Sequence, residues 1–328
     1  MGRFLFVVFL LLLLAAGGAY LMVQAPFGPS SPIYVEIAPG SSTQQIAAEL
    51  EQQGVVRSRY LFDVVRAVKR GRLQAGEYRF DHAAGVFEVY DRIHRGDIYT
   101  IAVTIPEGYN IYDIAQALEG SGLVSAQDFL AAAHKNTALI TDLAPHATSL
   151  EGYLFPDTYR FPHRITGQQV TAIMVRRFRV EAQKLGLSGN TSRIVTLASL
   201  IEKETGVSTE RTLVASVFEN RLDRGIPLAT DPSVIYAALI NSRWRGTIYE
   251  SDLHYDSPYN TYMHAGLPPG PIANPGEASL RAALNPAESD YLYFVSDGNG
   301  HSVFSSTLAE HDKNVAAYRA GEAAAGRR

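Results

Sequence analysis

"YVEIAPGSSTQQIAAELEQQGVV" (Tyr34–Val56) reads as an alternating strand, a turn at Gly40, an amphipathic helix and a stop at Gly54. Ile46 and Leu50 stand four residues apart, which places them on one face of a 3.6-residue turn. The same order returns in "VTIPEGYNIYDIAQALEGSGLV" (Val103–Val124). Gly40, Ile46, Ala47, Leu50, Glu51, Gly54 and Val56 recur 68 positions on as Gly108, Ile114, Ala115, Leu118, Glu119, Gly122 and Val124. Any strand–helix unit with a glycine stop shares part of this pattern, but seven identities in register favour a duplicated unit. The expected fold class is α+β.

Working outward, "LQAGEYRFDHAAGVFEVYDRIHRGD" (Leu73–Asp97) predicts a strand and a helix closing at Gly96. Residues 33–99 thus form a small βααβ module, alike in architecture to the LysM type of glycan-binding unit. Residues 100–319 form a larger mixed α/β domain, with helices expected near 168–185, 192–205, 209–224 and 232–241. Asp231–Pro232 reads as an N-cap followed by proline at the first helical position. "YLYFVSDGNGHSVFS" (Tyr291–Ser305) predicts a hairpin turning at Asn299–Gly300. Residues 320–328 are expected to be a disordered tail.

At the N-terminus, "FLFVVFLLLLLAAGGAYLMV" (Phe4–Val23) carries no charge. Twenty helical residues span roughly 30 Å, the thickness of a bilayer core. Arg3 precedes the run and no basic residue follows closely, so residues 1–3 are the expected cytoplasmic end of a single-pass anchor. A cleaved signal peptide is the alternative, with "AAGGA" offering small residues for the cut. The run through Tyr20–Val23 is longer than a usual signal core and favours retention. Residues 24–32, "QAPFGPSSP", read as a Pro/Gly/Ser linker. Under either reading the remainder lies outside the cytoplasm.

The chain has 328 residues, a formal net charge of -4 and no cysteine. That balance makes nucleic acid an improbable partner, and missing cysteine excludes disulfides, thiolate zinc sites and a cysteine nucleophile. G-x-S-x-G, S-x-x-K, H-E-x-x-H and Walker signatures are all missing. The G-x-G of "DGNGHSVF" lacks a third glycine and sits in the hairpin. Nine histidines are scattered. His264, His301 and His311 near the C-terminus could converge in space, but surface or structural roles suit them better than a metal site.

Chemistry is concentrated around "ASLIEKETG" (Ala198–Gly206), where Glu202, Lys203 and Glu204 follow the apolar run Ile194–Val195 and Leu197–Ile201. At about 100° per residue, Lys203 falls opposite the centre of the apolar stripe and faces solvent. The two glutamates lie about 160° apart on its borders. Glu204, following Leu197 and Leu200, has a slightly more apolar setting than Glu202, following Val195 and Ala198. A carboxyl held against apolar neighbours has its charged form disfavoured and can serve as a general acid near neutral pH. A solvated last turn before Gly206 explains the same residues, and spacing leaves both open.

"LEGYLFPDTYRF" (Leu150–Phe161), "LATDPSVIY" (Leu228–Tyr236) and "SPYNTYMHAGLPPGPIANPG" (Ser257–Gly276) set aromatic, amide and carboxylate residues on Pro/Gly-stiffened loops. Sugar rings need such surfaces, because one face stacks while hydroxyls are hydrogen-bonded. Together with "LASLIEKET" (Leu197–Thr205) and "YLYFVSDGNGHSVFSSTLAEHDKNVAAY" (Tyr291–Tyr318), these segments closely resemble the MltG (YceG-like) endolytic murein transglycosylases. The resemblance runs from the anchor to about Tyr318. It implies an anchored LysM-like module and a catalytic domain facing the cell wall, held by the inner membrane on the extracytoplasmic side. The family's catalytic glutamate is the second of its E-K-E-T motif, which is Glu204 here.

The implied reaction cuts the bond between N-acetylmuramic acid and N-acetylglucosamine within peptidoglycan strands and leaves a 1,6-anhydro end. It requires no metal or organic cofactor. Asp231, Asn260 and Tyr262 are the expected substrate contacts, and peptidoglycan synthases the expected membrane partners. A two-carboxylate hydrolase would recruit Asp231, Glu151 or Asp157 as second group. A scaffold would only hold glycan, and a protease lacks a visible nucleophile.

Overall fold

The computed structural model describes Gly2–Ala325, with the side chains of residues 2, 3, 12, 15, 16, 19 and 322–325 outside the description. Met1 of the expected cytoplasmic end and residues 326–328 of the expected tail lie outside it as well. The chain divides into two compact units, Met1–Ile101 and Ala102–Arg328.

The first unit runs α1 (Gly2–Gln24), β1 (Ile33–Ile37), α2 (Thr43–Gln52), α3 (Arg59–Lys69), β2 (Gly76–Phe80) and α4 (Val86–Arg95). Strands β1 and β2 pair antiparallel, Ile33 opposite Phe80 and Ile37 opposite Gly76. Val35, Ile37, Tyr78 and Phe80 point inward and meet Ile46, Ala47, Leu50, Phe62, Val89 and Ile93 from the helices. Ser42 starts α2 with a capping box closed by Gln45. The predicted stop holds in both copies of the repeat, since Gly54 and Gly122 take φ of 70° and 74°. That left-handed geometry suits a residue without a Cβ.

The expected linker is not a loose tether. Val23 is buried in the first unit's core, and the Phe27 and Ala84 backbones exchange two hydrogen bonds of 3.0 Å. Arg57 stacks over the Phe27 ring at 5.3 Å. Composition suggested slack, but Val23 and Phe27 bring enough apolar surface to dock the segment. Among the described residues no helix is long and apolar enough to cross a membrane. The anchor expected over Phe4–Val23 includes residues whose side chains lie outside the description, so the span is not an established feature of the fold.

The second unit takes in most of β3 (Thr100–Ile105), then α5 (Ile111–Gly120), α6 (Ala126–Lys135) and a 3₁₀ turn at Thr137–Ile140. β4 (Asp157–Pro162) pairs with β3, and α7 (Gly167–Lys184) follows. Next come α8 (Ser192–Glu204), α9 (Arg211–Asp223), α10 (Asp231–Ile240), a one-turn α11 (Glu250–Leu253) and α12 (Glu277–Leu284). β5 (Tyr293–Ser296), β6 (Ser302–Ser305) and α13 (Leu308–Ala325) complete it. Short sheets among many helices make an α+β protein.

Helix α8 is the spine of this unit. Every residue from Val195 to Ile201 is buried, and α9, α10 and α12 pack around it. Each fully buried Val, Leu or Ile contributes roughly 1.5–3 kcal/mol, so the helix is fixed well before its charged end is reached. The expected hairpin forms, with Asn299–Gly300 inside a five-residue loop, Asp297–His301, whose Asp297 Oδ1 accepts from the Asn299 and His301 N–H groups. Two local expectations are corrected. Thr230 rather than Asp231 is the N-cap of α10. Ala320–Ala325, expected as disordered tail, continues α13 as helix.

Candidate active site

At the end of α8 the three charged residues separate into different roles. Lys203 is exposed, and its Nζ donates to the Gly108 carbonyl at 3.3 Å. Glu202 is turned inward, with its side chain 5% exposed. Arg211 Nη2 donates to its Oε1 at 3.2 Å, and the Gly276 N–H donates to its Oε2 at 2.9 Å. Both oxygens are therefore occupied by the protein itself. The helix ends because Thr205 turns into extended backbone, where its hydroxyl accepts from the Val207 N–H at 3.0 Å.

Glu204, the last helical residue, is half-buried. Burial pushes its pKa up to about 7, the neighbouring Asp231 charge adds to the rise, and Arg221 partly offsets it. Among the described residues its carboxyl makes no hydrogen bond. A desolvated acid without a partner is available to an incoming oxygen atom.

The facing groups come from α9, α10 and the 257–276 loop. Asp231 occupies the first turn of α10, where a carboxylate suits the positive end of the helix. The Tyr262 hydroxyl donates to Asp231 Oδ1 at 2.8 Å, and burial followed by that bond raises the phenol's pKa. Arg221 is held from behind, its Nε donating to the Leu292 carbonyl at 2.6 Å and Nη1 to the Leu228 carbonyl at 2.9 Å. Its guanidinium lies 5.1 Å from the centre of the Tyr293 ring, and burial lowers its pKa. Hydroxyls fasten the loop to the start of α10. Ser233 Oγ bonds Thr261 Oγ1 at 2.8 Å, and the Thr230 N–H donates to the same oxygen at 3.0 Å. Ala229 just before takes φ of 50°, an uncommon conformation for a residue with a Cβ.

Structure brings together Glu204, Asp231 and Tyr262 of the four residues expected at the site. Asn260 is the exception. It is fully buried, and its Nδ2 donates to the carbonyls of Asp252, Leu253 and Tyr255 at 3.2, 3.0 and 2.9 Å. Its Oδ1 accepts from the Tyr262 N–H at 3.0 Å. The amide is consumed in shaping the loop, so Asn260 is a staple and not a substrate contact.

Of the candidate second carboxylates, only Asp231 acts on Glu204. Asp157 pairs with Arg177 at 2.7 Å, and Glu151 is bonded to Ile111, Tyr236 and Asn274. The three histidines take separate partners: His264 with Asp256, His301 with Glu210, and His311 stacked on Tyr293. Among the described residues no group of three or more His, Cys, Asp or Glu could hold a metal ion. Sequence reading missed Arg221, which sits in a polar final turn that reads as solvated. Its placement depends on the Leu292 carbonyl, 71 residues away, as well as on the nearby Leu228 carbonyl.

Fold and site together define an α+β protein whose chemistry centres on a desolvated carboxyl at a helix end, without a hydrogen-bond partner among the described residues. The chain belongs to the YceG-like family, which it matches over residues 35–317. It is 34% identical over 326 residues to the endolytic murein transglycosylase of Bacillus subtilis (strain 168), covering 92% of this chain and 90% of that one. The endolytic murein transglycosylase of Streptococcus pneumoniae (strain ATCC BAA-255 / R6) is 30% identical over 351 residues, covering 95% of this chain and 64% of its own length. A 2.6 Å crystal structure of a yceG-like protein from Listeria monocytogenes matches with a TM-score of 0.57 and 33% identity, over 87% of this chain and 99% of that one.

Proposed function

We propose that this chain is a membrane-anchored endolytic peptidoglycan lytic transglycosylase with Glu204 as its single acid and base. The observation that carries the reading is the Glu204 carboxyl, its pKa raised to about 7 by burial and without a hydrogen bond among the described residues. As an acid it gives its proton to the oxygen joining N-acetylmuramic acid to the next N-acetylglucosamine. The bond to the muramic C1 breaks, and positive charge develops there. The muramic acid's own C6 hydroxyl attacks C1 while the Glu204 carboxylate removes the hydroxyl proton. A 1,6-anhydro ring forms, no water enters, and Glu204 ends protonated as it began.

Asp231 supports the first step by favouring protonated Glu204, and its negative charge suits the developing cation. Arg221 stabilises the carboxylate formed between the steps, and Tyr262 offers a ring edge to the sugar. Cleavage within nascent strands would terminate their elongation, in company with the synthases that extend them. The uncharged Phe4–Val23 run supports retention in the membrane, since Phe4, Phe6, Phe9 and Leu14 stand exposed on α1. The β1-α2-α3-β2 order supports a LysM-like, glycan-holding role for residues 33–99.

A two-carboxylate hydrolase is the second reading, favoured by the action of Asp231 on Glu204. Mass spectrometry of digested, purified glycan strands separates the two. The expected product is one water lighter than a hydrolysed strand, and a product carrying that water overturns the lyase reading.

A further inference from the structure

Glu151 takes no part in the mechanism just derived, although it is almost wholly buried. Its Oε2 accepts from the Ile111 N–H at 3.0 Å and is hydrogen-bonded to the Tyr236 hydroxyl at 3.1 Å. Its Oε1 accepts from Asn274 Nδ2 at 2.9 Å. The orientation of Asn274 is fixed because its Oδ1 accepts from the Leu154 N–H at 2.9 Å. These partners sit at the start of α5, in the middle of α10 and in the Pro271–Gly276 loop. That loop is fastened to α8 twice. The Ile272 N–H donates to Ser199 Oγ at 3.1 Å, and the Gly276 N–H donates to Glu202 Oε2 at 2.9 Å. One carboxyl is therefore bonded directly to the helix that starts at Asp231, and through a single loop to the helix that ends at Glu204.

We propose that Glu151, as the neutral acid, is a positioning residue that sets the spacing of α8 and α10 and so the placement of Glu204 against Asp231. The inference rests on the reading of Glu204 as the reacting acid. Two of the three contacts are obligatory donors, one to each oxygen. The Tyr236 hydroxyl donates to the carboxylate, and because a hydroxyl accepts as readily as it donates, it takes the proton of the neutral acid instead. All three contacts are then satisfied without a buried charge. Burial is the main cause that pushes the Glu151 pKa up to about 8.

The ionisable groups facing it are Tyr112 and Asp113 on α5, Tyr236 on α10 and Tyr259 in the 257–276 loop. The Asp113 charge favours the proton on Glu151. A chamber of about 260 Å³, lined by Glu151, His146, Ser192, Tyr259 and Pro271, gives that proton a route out. Above pH 8 ionisation leaves an unneutralised charge between the two helices, and the pair loses its register.

The test compares Glu151→Gln and Glu151→Leu on purified glycan strands from pH 6 to 10. Glutamine keeps the Asn274 and Tyr236 contacts and cannot ionise, but its NH2 then faces the Ile111 N–H, so its kcat at pH 7 is expected within about ten-fold of wild type. Leucine removes every contact and is expected to lower kcat about 10²-fold with little change in KM, the scale of a misplaced catalytic group. At alkaline pH log kcat of the wild type should fall with a slope approaching about −2, from Glu204 and Glu151 together, and that of Glu151→Gln with about −1. A glutamine variant that keeps the steeper slope overturns the proposal, as does a folded leucine variant with wild-type kcat. If leucine prevents folding, the glutamine slope decides alone. Failure of the underlying reading looks different, because Glu204→Gln would then remain active whatever the Glu151 variants do.

Discussion

Glu202 and Glu204 are two positions apart and should respond to the same substitution in opposite ways. Glu204→Gln removes the transferable proton and is expected to lower activity by about 10²–10⁴-fold or more, since one group serves both steps. It should also stabilise the fold. A carboxyl whose pKa rises on folding holds its proton more tightly in the native state, so native stability falls as pH climbs from the unfolded value toward the folded one. For Glu204 that window runs from 4.5 to about 7. The accumulated penalty is about 3 kcal/mol above it. Calorimetry should therefore find Glu204→Gln more stable than wild type at pH 8 and similar at pH 4. Equal stability at both would refute the buried placement. Glu202→Gln weakens the Arg211 pair and is expected to destabilise by about 1–3 kcal/mol while losing far less activity.

Among elements, α8 and the 257–276 loop differ in how much of them local sequence determines. Helix α8, its exposed Lys203 and the glycine stops of the repeat follow from periodicity and from conformations that glycine adopts readily. Those features depend on neighbours in the chain, so they could be read from it. Asn260 could not. An asparagine beside tyrosines on a Pro/Gly loop looks the same whether it faces a sugar or gathers carbonyls, and three inward-turned carbonyls decide the matter only in three dimensions. The roles of Arg221 and Glu151 were hidden for the same reason, since Leu292 for the one and Ile111, Tyr236 and Asn274 for the other are distant in sequence. Asn260→Ala would strand those carbonyls and is expected to destabilise by about 2–4 kcal/mol. Hydrogen exchange should quicken across residues 252–263, and Tyr262 should lose its hold on Asp231. Unchanged exchange there would contradict the staple role.

For the molecule as a whole, the docking of Val23 and Phe27 determines where the chain can be cut. Under the anchored reading proposed above, removal up to Tyr20 frees the protein from membranes yet leaves the first unit's core intact. Removal up to Ser30, within the Pro/Gly/Ser segment, also strips Val23, Phe27 and the Ala84 pairing. The longer truncation is expected to unfold at lower temperature than the shorter, with the loss confined to residues 33–99. Identical melting of the two would show that the segment contributes nothing.

The partner-free state of Glu204 also governs how association with any sugar must look in a calorimeter. Near neutral pH the resting population is a mixture of acid and carboxylate, and a ligand offering a lone pair to the proton selects the acid. Its association then draws hydrogen ions from solution, and heats recorded in buffers of unlike protonation enthalpy must differ. A cationic sugar mimic selects the carboxylate and releases ions instead. The sign of that exchange distinguishes molecules that resemble the intact strand from molecules that resemble the cation formed as it breaks.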